Sequence, residues 1–221
     1  KKENPEYLRA SLESILVQTR TADEILLIED GPLTQELYQV VAEYQKKCDY
    51  LHVHAMEQNV QLGRALAKGV ELCQYDLIAR MDTDDIAMPD RLEKEEAYME
   101  AHPEVDVVGG AIREFNDEGT IDRVKNMPKT QEEILEYVKV RNPLNHMTVM
   151  YRKDSILKAG NYKHFPFLED YSLWSRMLSQ GYQFRNMEDI LVRARTSMGL
   201  VKRRSGWAYY KDFQKRRKQQ H

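Results

Sequence analysis

Residues 79–85 read Ala79-Arg80-Met81-Asp82-Thr83-Asp84-Asp85, and they follow the mostly apolar run Tyr75-Asp76-Leu77-Ile78. The run predicts a short buried strand, and Pro89 with Asp90 predicts a helix that opens at Arg91. The order is therefore strand, acidic turn and helix. In open α/β sheets, ligands bind just beyond the carboxyl ends of strands. We expect the rest of the fold to be organised around this turn.

The acidic turn places three carboxylates within four residues. Like charges at this spacing repel, so the cluster requires a cation or raised pKa values. Hard divalent ions, Mn²⁺ or Mg²⁺, favour oxygen ligands of this kind, which makes the turn a candidate metal site. The simpler interpretation is an acidic loop that caps the next helix, since carboxylates are favourable at helix N-termini.

The composition indicates a soluble globular protein. The chain has 221 residues, of which 42% are apolar and 31% are charged. No apolar run approaches the ~20 residues needed to span a bilayer, and no signal peptide is visible. Cys48 and Cys73 are expected to be reduced thiols, as in cytosolic proteins. We therefore expect a cytoplasmic protein.

Charge is distributed unevenly along the chain. Residues 201–221 contain eight Lys or Arg and one Asp, a net charge of +7, whereas the whole chain carries −3, so the first 200 residues carry −10. A basic tail on an acidic body predicts an anionic partner, such as membrane headgroups or phosphates. The alternative is a solvated, frayed C-terminal helix.

Helical and strand-like segments alternate in the first half of the chain. Helical periodicity at residues 4–16, 34–44 and 62–73 alternates with apolar runs at 25–28, 52–54 and 75–78. This order predicts an α/β, Rossmann-type fold with a mixed, mainly parallel sheet and helices on both faces. A first strand ahead of Asn4 would complete the pattern, so we expect that strand to be missing from this chain. Residues 105–178 are predicted to extend the same sheet.

Two further segments suit a nucleotide. Glu29 and Asp30 end the most apolar run, where a carboxylate can accept hydrogen bonds from a nucleoside or its ribose. Gly63 and Arg64 open a helix, where backbone N–H groups and a cation suit an anion. Each segment could instead be an ordinary turn or helix start.

Glu169 and Asp170 lie in an aromatic and proline-rich stretch. A carboxylate shielded from water can have a raised pKa and act as a general base, although capping of the following helix would also explain the pair. His146 lies in an irregular loop and could be a ligand, a phosphate contact or a hydrogen-bonded loop residue.

The order of these motifs resembles the family-2 glycosyltransferases of the GT-A fold over about residues 4–200. The segments that carry the resemblance are residues 12–19, Glu29-Asp30-Gly31, residues 59–69, residues 81–85 with Pro89, and residues 169–174. Two features depart from the family pattern: Glu29 stands where the family usually has an aspartate, and the first strand is missing. The chain has no Gln-x-x-Arg-Trp motif, which marks processive synthases, so transfer of a single sugar is favoured.

The resemblance implies a role for each candidate residue. Asp30, with Glu29, would contact uracil or ribose, and Gly63 and Arg64 would approach the base. Asp82 would bind the ribose or the metal, and Asp84 would bind the metal. Asp170 would be the general base, assisted by Glu169, and His146 would contact the nucleotide sugar.

The sequence therefore predicts an inverting, metal-dependent hexosyltransferase of surface-polysaccharide synthesis. Its domain would cover residues 1–200, and residues 201–221 would form a basic tail that attaches it to the inner face of the plasma membrane. The expected partners are a UDP-sugar and a glycan or polyprenyl-linked acceptor, with no nucleic acid. Two alternatives remain open, a nucleotidyltransferase and a non-catalytic assembly subunit that binds nucleotide sugars.

Overall fold

Helices and strands alternate through residues 3–196, the part of the chain that this computed structural model describes. The elements of the first half are α1 (Pro5–Leu16), β1 (Ile25–Glu29), α2 (Gln35–Lys47), β2 (Leu51–Ala55), α3 (Leu62–Leu72) and β3 (Leu77–Ala79). Those of the second half are β4 (Ile86–Ala87), α4 (Arg91–Ala101), β5 (Val107–Phe115), β6 (Asp122–Lys125), α5 (Gln131–Tyr137), a 3-10 turn (His146–Thr148), β7 (Met150–Arg152), α6 (Lys153–Lys158), α7 (Glu169–Ser179) and β8 (Phe184–Arg195).

Local side-chain chemistry explains where the helices begin. The Asn4 side chain accepts the backbone N–H of Glu6 at the start of α1, with Pro5 in the first turn. Thr130 forms a capping box with Glu133 at the start of α5.

The strands form two separate sheets. β1 and β2 pair in parallel, while a six-stranded sheet has the order β3-β7-β5-β8-β4, with β6 paired to β5. In the larger sheet only β5 and β8 are parallel, and the other four pairings are antiparallel. The α/β class and the mixed sheet are confirmed, but the expectation of a mainly parallel sheet is wrong for the described residues. In the second half of the chain, β6 follows β5 in a tight hairpin and β7 runs antiparallel to its neighbours. These arrangements stand in place of the helical crossovers that connect parallel strands.

A pair of glycines lets the two longest strands approach closely. A Cβ built on Gly110 would lie 2.5 Å from Cδ1 of Leu191, and one on Gly109 would lie 2.7 Å from Oδ1 of Asn186. The absence of side chains at these two glycines therefore permits the close approach of β8. Beneath the sheet, α7 buries its apolar face completely at Leu173, Trp174 and Met177.

Residues 146–152 form a 3-10 turn followed by β7, because the Asn145 carbonyl closes a turn on the Thr148 amide. Helix α7 begins at Glu169, so Glu169 and Asp170 lie in its first turn. The strand predicted from the run at 75–78 differs in its start and burial. Strand β3 starts at Leu77 and is half-buried, with Tyr75 and Asp76 exposed.

A deep apolar cleft of about 670 Å³ separates the two sheets. Its side walls are β1 and β3, and helices α1 and α3 contribute apolar side chains above and below. Asp30 and Asp82 lie at one end of this cleft. The gap leaves β1, the most apolar run in the sequence, half-buried rather than at the centre of a sheet.

Further expectations concern the two cysteines, membrane-spanning helices and the C-terminal part of the chain. Both cysteines are free thiols, as predicted. Within residues 3–196, no helix is long and apolar enough to cross a bilayer. The basic tail at 201–221 and the domain boundary at residue 200 lie outside the described residues.

Candidate functional site

A buried ion pair organises the acidic turn after β3. Arg80, only 6% exposed, forms two hydrogen bonds to the carboxylate of Asp82, one of them 2.6 Å long from Nη1 to Oδ2. The Asp82 side chain remains 32% exposed, so it is reachable from solvent. The hydroxyl of Ser11 donates to the Asp82 carbonyl at 3.1 Å and ties α1 to the turn. The turn is therefore held in shape from both sides.

The far end of strand β8 closes the acidic turn. The backbone N–H of Arg195 donates to Oδ1 of Asp85 at 2.7 Å, and its Nε donates to the carbonyl of Asp84 at 3.2 Å. Asp85 is 2% exposed, and burial, followed by the nearby charge of Asp82, raises its pKa to about 8. Burial, with a smaller contribution from the neighbouring carboxylates, thus raises the pKa of Asp85, which is one of the two possibilities that the sequence left open for the cluster.

The carboxylates of the turn fit a divalent ion that takes most of its ligands from elsewhere. Among residues 3–196, no group of three or more His, Cys, Asp or Glu is arranged to hold a metal ion. Mg²⁺-type ions are commonly bound through one or two carboxylates, with substrate phosphates and water completing the shell. Asp82 and Asp84 are both partly exposed oxygen donors on the same turn. This donor set fits an ion that arrives with a diphosphate.

Asp30 lies at the carboxyl end of β1, at the edge of the same cleft as Asp82. Its two carboxylate oxygens accept the Asn59 side-chain amide at 2.9 Å and the Val60 N–H at 2.6 Å. It therefore joins the loops that follow β1 and β2. Its neighbour Glu29 is 6% exposed, and burial raises its pKa.

Gly63 and Arg64 occupy the first turn of α3, but they face different surroundings. Gly63 is buried, and a Cβ there would overlap the backbone oxygen of Lys163 and lie 3.2 Å from Cβ of Glu169. Its lack of a side chain allows α3 to contact the segment that leads into α7. Arg64 is exposed. The glycine thus has a packing role that its predicted role beside the nucleotide did not include.

Asp170 lies in the first turn of α7 and is held by its neighbours. Asn142 donates from Nδ2 to Oδ2 of Asp170 at 2.6 Å, and Nδ1 of His146 lies 3.9 Å from the same oxygen. The Asp170 side chain is 16% exposed. Burial raises its pKa, while hydrogen bonds from the Tyr171 amide and from Asn142, together with the charge of Arg80, lower it. A carboxylate with these properties is suited to accept a proton.

His146 lies beside Asp170, and its side chain is largely shielded from solvent. Its Nε2 is 3.0 Å from the hydroxyl of Tyr162, and its ring packs edge-on against Trp174. Burial, and then the nearby charge of Arg80, hold its pKa well below the usual value, so the imidazole is neutral. Of the roles left open by the sequence, the structure favours a hydrogen-bonded histidine that supports Asp170.

The buried guanidinium of Arg80 links the two halves of the site. It pairs with Asp82, and its charge also lowers the pKa of both Glu169 and Asp170, in which burial is the larger, raising influence. Charges that act on one another in this way lie close together in a poorly solvated interior. The acidic turn and the start of α7, 90 residues apart in sequence, are therefore parts of one site.

Three residues of this site had no role predicted from the sequence. Arg80 was quoted within the acidic stretch but assigned no role, although a lone arginine beside three acids was a usable signal. Asn142 lies in a loop recognised only as irregular, and Arg195 lies at the end of a strand that the sequence analysis did not single out. Their roles depend on contacts over long sequence separations, which no local pattern reveals.

Comparisons with known sequences identify related proteins. The family model described as Glycosyl transferase family 2 matches residues 1–164. The chain is 42% identical over 210 residues to the amylovoran biosynthesis glycosyltransferase AmsE of Erwinia amylovora, covering 95% of this chain and 78% of AmsE. It is 34% identical over 214 residues to an Escherichia coli UDP-Gal:alpha-D-GlcNAc-diphosphoundecaprenol beta-1,3-galactosyltransferase, covering 94% of this chain and 75% of that protein.

Two solved structures share the fold. A mannosyltransferase from Pyrobaculum calidifontis, in complex with GDP-Man and Mn²⁺, superposes with a TM-score of 0.70 at 12% identity, covering 92% of this chain and 57% of that one. S. aureus TarS residues 1–349 in complex with UDP superposes with a TM-score of 0.69 at 18% identity, covering 89% of this chain and 59% of that one. The chain spans just over half of each structure, and the fold implied by the sequence resemblance is confirmed.

Proposed function

This chain belongs to glycosyl transferase family 2, and from that premise we propose that it transfers one sugar, with inversion, from a UDP-sugar to a glycan or lipid-linked acceptor. Its class is a glycosyltransferase of polysaccharide biosynthesis, in keeping with its similarity to the amylovoran enzyme. Beyond this class, we propose the UDP donor, the use of a divalent ion, inversion at the anomeric carbon and the type of acceptor.

One observation carries the proposal. The guanidinium of Arg80 pairs with Asp82, and its charge also lowers the pKa of Asp170. A group-transfer enzyme needs one set of residues for the donor and another for the incoming nucleophile, on opposite sides of the reacting carbon. The acidic turn supplies the first set and the start of α7 supplies the second. Arg80 pairs with Asp82 on the donor side, and its charge also acts on Asp170 on the acceptor side.

The donor-side residues bind and orient the nucleotide sugar. Asp30, at the end of β1, accepts hydrogen bonds from the uracil or ribose, and the partly exposed Asp82 accepts a ribose hydroxyl. Exposed Arg64 lies at the start of α3, where it faces the base. Asp84, with Asp82, holds a divalent ion, Mn²⁺ or Mg²⁺, which supplies charge neutralisation to the diphosphate leaving group.

On the acceptor side, Asp170 removes the proton of the attacking hydroxyl. The proton moves to a carboxylate oxygen of Asp170 as the hydroxyl oxygen attacks the anomeric carbon and the bond to the diphosphate breaks. Asn142 fixes the carboxylate, and neutral His146 lies 3.9 Å from it. Glu169, the preceding residue, assists Asp170. A single displacement of this kind inverts the anomeric centre.

The acceptor is proposed to be membrane-linked. The similar galactosyltransferase has a diphosphoundecaprenol acceptor in its name, and the basic residues 201–221 suit an anionic membrane surface. We place the enzyme in the cytoplasm, at the inner face of the plasma membrane, where nucleotide sugars and lipid-linked glycans meet.

UDP release from a panel of UDP-sugars, measured with Mn²⁺ and with EDTA, tests the proposal. Metal-dependent release that is stimulated by a lipid-diphosphate sugar acceptor supports it. Formation of UTP and sugar 1-phosphate when pyrophosphate is added to the UDP-sugar, without release of UDP, would favour the nucleotidyltransferase alternative. Metal-dependent UDP binding without turnover would favour the non-catalytic subunit.

A further inference from the structure

A small cavity lies beside the proposed base, between the start of α3 and the loop that leads into α7. Its volume is about 240 Å³, and its walls are residues 61–63 on one side and residues 164–167 with Glu169 on the other. Pockets for drug-sized ligands are larger, at about 300–1,000 Å³, so this cavity suits a single ring. Asp170 directly follows Glu169 in the first turn of α7. A molecule bound here would therefore lie next to the site of proton removal.

One wall of the cavity is a tight turn that holds an aromatic residue in an unfavourable conformation. The Leu168 N–H bonds to the Phe165 carbonyl at 2.9 Å and closes the turn. Its two central residues are Pro166 and Phe167. The φ of Phe167 is 68°, which a type II turn requires at its third residue and which glycine or asparagine usually supplies. For a bulky residue this conformation is a genuine outlier. Glycine would suit the turn better, so the large side chain has another purpose.

The opposite wall is strained as well. Gln61 has a φ of 72° and a ψ of 156°, a combination that almost only glycine adopts. Its side chain forms no capping hydrogen bond with α3, so helix capping does not explain the conformation. Among residues 3–196, three non-glycine residues have a positive φ, and two of them, Gln61 and Phe167, line this cavity. Backbone strain of this kind concentrates at ligand-binding sites.

The side chains of these two residues suit a sugar. Phe167 is 82% exposed, more than any other large apolar side chain of residues 3–196, so burial in the core does not account for it. Its flat ring matches the apolar C–H face of a pyranose, and aromatic rings supply a large contact area. Gln61 and Glu169 add polar groups for hydroxyls. An aromatic pocket with a few polar groups is typical of small-ligand sites.

The charges of the lining favour a neutral ring. Among residues 3–196, the lining contains one carboxylate, that of Glu169, one histidine, His164, and no lysine or arginine. A second anion beside Glu169 would be repelled. The fixed cation that would pair with a uronic acid or a phosphate is not part of this lining. A neutral sugar therefore fits better than an acidic one.

The cavity adjoins the donor side of the site without sharing its carboxylates. Asp30 and Asp82 line the larger cleft between the sheets, and neither lines this cavity. Leu62 lines both spaces, so the two meet at the start of α3. An enzyme that joins two substrates needs two adjoining spaces, one for each. The position of the cavity therefore fits the acceptor rather than the nucleotide.

We propose that this cavity binds the terminal sugar ring of the acceptor, a neutral pyranose that stacks on Phe167 and hydrogen-bonds through its hydroxyls to Gln61. The assignment rests on the proposed function, because the acceptor hydroxyl must reach Asp170. It makes Phe167 a residue that determines which acceptors are used, and it explains why a strained aromatic stands where glycine would be more stable.

The binding test uses methyl glucoside, methyl galactoside and methyl glucuronide as probes. The last differs from the first only by a carboxylate in place of a hydroxymethyl group. Saturation-transfer NMR on the 221-residue chain, with UDP and Mn²⁺ present, should show contact with one or both neutral glycosides. The signal of methyl glucuronide should be several-fold weaker, because Glu169 opposes its charge.

Three substitutions at one position separate the aromatic ring from the backbone strain. Phe167→Leu keeps the strain and the apolar bulk but removes the ring, Phe167→Tyr keeps the ring, and Phe167→Gly removes both. The contact should disappear with Leu and Gly and be kept with Tyr. Tyr38→Leu, at an aromatic residue of α2 that is 40% exposed, is the matched control and should leave the contact unchanged.

Stability and kinetics supply readouts that a purely structural role would not move in this pattern. Phe167→Gly should keep Tm unchanged or raise it by up to about 4 °C, because glycine adopts a positive φ without steric cost. Phe167→Leu should raise the KM for a neutral methyl glycoside acceptor about tenfold through loss of the aromatic contact, with a smaller effect on kcat. Calorimetry should show unchanged affinity for the UDP-sugar.

Four results would overturn the inference. Glycoside contact that persists in Phe167→Gly would place the sugar elsewhere. A fall in Tm of several degrees in the same variant would show that the ring stabilises the fold. Loss of affinity for the UDP-sugar but not for UDP would assign the cavity to the sugar of the donor. Metal-dependent UDP release by a protein that contacts none of the glycosides would count against this inference alone.

Failure of the proposed function has a different signature. The absence of metal-dependent UDP release from every UDP-sugar would contradict the transferase itself and, with it, the assignment of the cavity to an acceptor.

Discussion

Nδ2 of Asn142 lies 2.6 Å from Oδ2 of Asp170, so an uncharged amide holds the carboxylate proposed as the general base. The hydrogen bond stabilises the charged form of Asp170 and opposes the effect of burial, which raises its pKa. The balance between these influences sets the pH at which the base becomes available. This contact leads to the first prediction.

Replacing Asn142 by Ala should move the acid limb of the pH–rate profile to higher pH. The base works when deprotonated, so activity falls as pH drops through the pKa of Asp170, which burial places above the ordinary 3.8. Loss of the hydrogen bond removes a lowering influence and raises that pKa further. The kcat/KM profile measures the shift. Asn126→Ala, an exposed asparagine, is the control, and identical profiles for both variants would remove Asn142 from this role.

Asp170→Asn should reduce kcat by about 10²–10⁴, the usual contribution of a positioned base. Affinity for the UDP-sugar should be retained, because Asp170 lies on the acceptor side of the site. Steady-state kinetics and calorimetry on the same variant separate the two effects. A parallel loss of UDP-sugar binding would move Asp170 out of the base role.

Asp84→Asn should abolish Mn²⁺-dependent UDP binding and leave Tm nearly unchanged. The side chain is partly exposed, so its replacement by a neutral isostere disturbs little packing. Titration calorimetry with UDP, in Mn²⁺ and in EDTA, provides the measurement. UDP affinity that is insensitive both to EDTA and to this substitution contradicts the metal role.

Gly63→Ala and Gly69→Ala form a matched pair on α3. A Cβ at position 63 would overlap the Lys163 carbonyl oxygen, whereas one at position 69 would lie 3.4 Å from Cγ1 of Ile28, an ordinary contact. Overpacking at position 63 should cost about 1–3 kcal/mol, a fall in Tm of roughly 2–4 °C per kcal/mol for a chain of this size. The Gly69 variant should be neutral or more stable by up to about 1 kcal/mol. Thermal unfolding compares them, and equal Tm values would contradict the packing role of Gly63.

Deleting residues 205–221 should abolish salt-sensitive binding to anionic vesicles and preserve transfer to a soluble acceptor. The deleted segment carries most of the local excess of positive charge, and each cation near an anionic surface contributes about 1 kcal/mol. Vesicle sedimentation at low and high salt measures the binding. If the shortened protein instead loses affinity for UDP-sugars, the tail belongs to the active site.

Local patterns predicted the elements of the first half well. Apolar periodicity located α1, α2 and α3, because it depends on residues a few positions apart. The partners of each strand depend instead on contacts across the whole chain. The sequence therefore predicted a mainly parallel sheet, which the antiparallel β7 and the β5–β6 hairpin contradict.

Candidate site residues that directly follow strands could be predicted from the sequence. Contacts between residues from distant segments could not. Carboxylates at the ends of β1 and β3 were identified because ligands gather at strand ends. The inward position of His146 was not, since a loop histidine carries no periodic signal. The packing role of Gly63 depends on Lys163, 100 residues away, and Arg80 becomes central only when α7 folds beside it.

The anchoring of Arg195 limits how far the protein can be shortened for biotechnology. Its amide holds Asp85, its guanidinium pairs with Asp117, and the next residue, Thr196, bonds through its amide to the Phe115 carbonyl. A minimal catalytic module must therefore retain the polypeptide through Thr196, whatever is removed beyond it. Fusion partners attached beyond Thr196 leave these hydrogen bonds intact. A partner joined at residue 194 would remove the hydrogen bond from the Arg195 amide that holds Asp85 in the acidic turn.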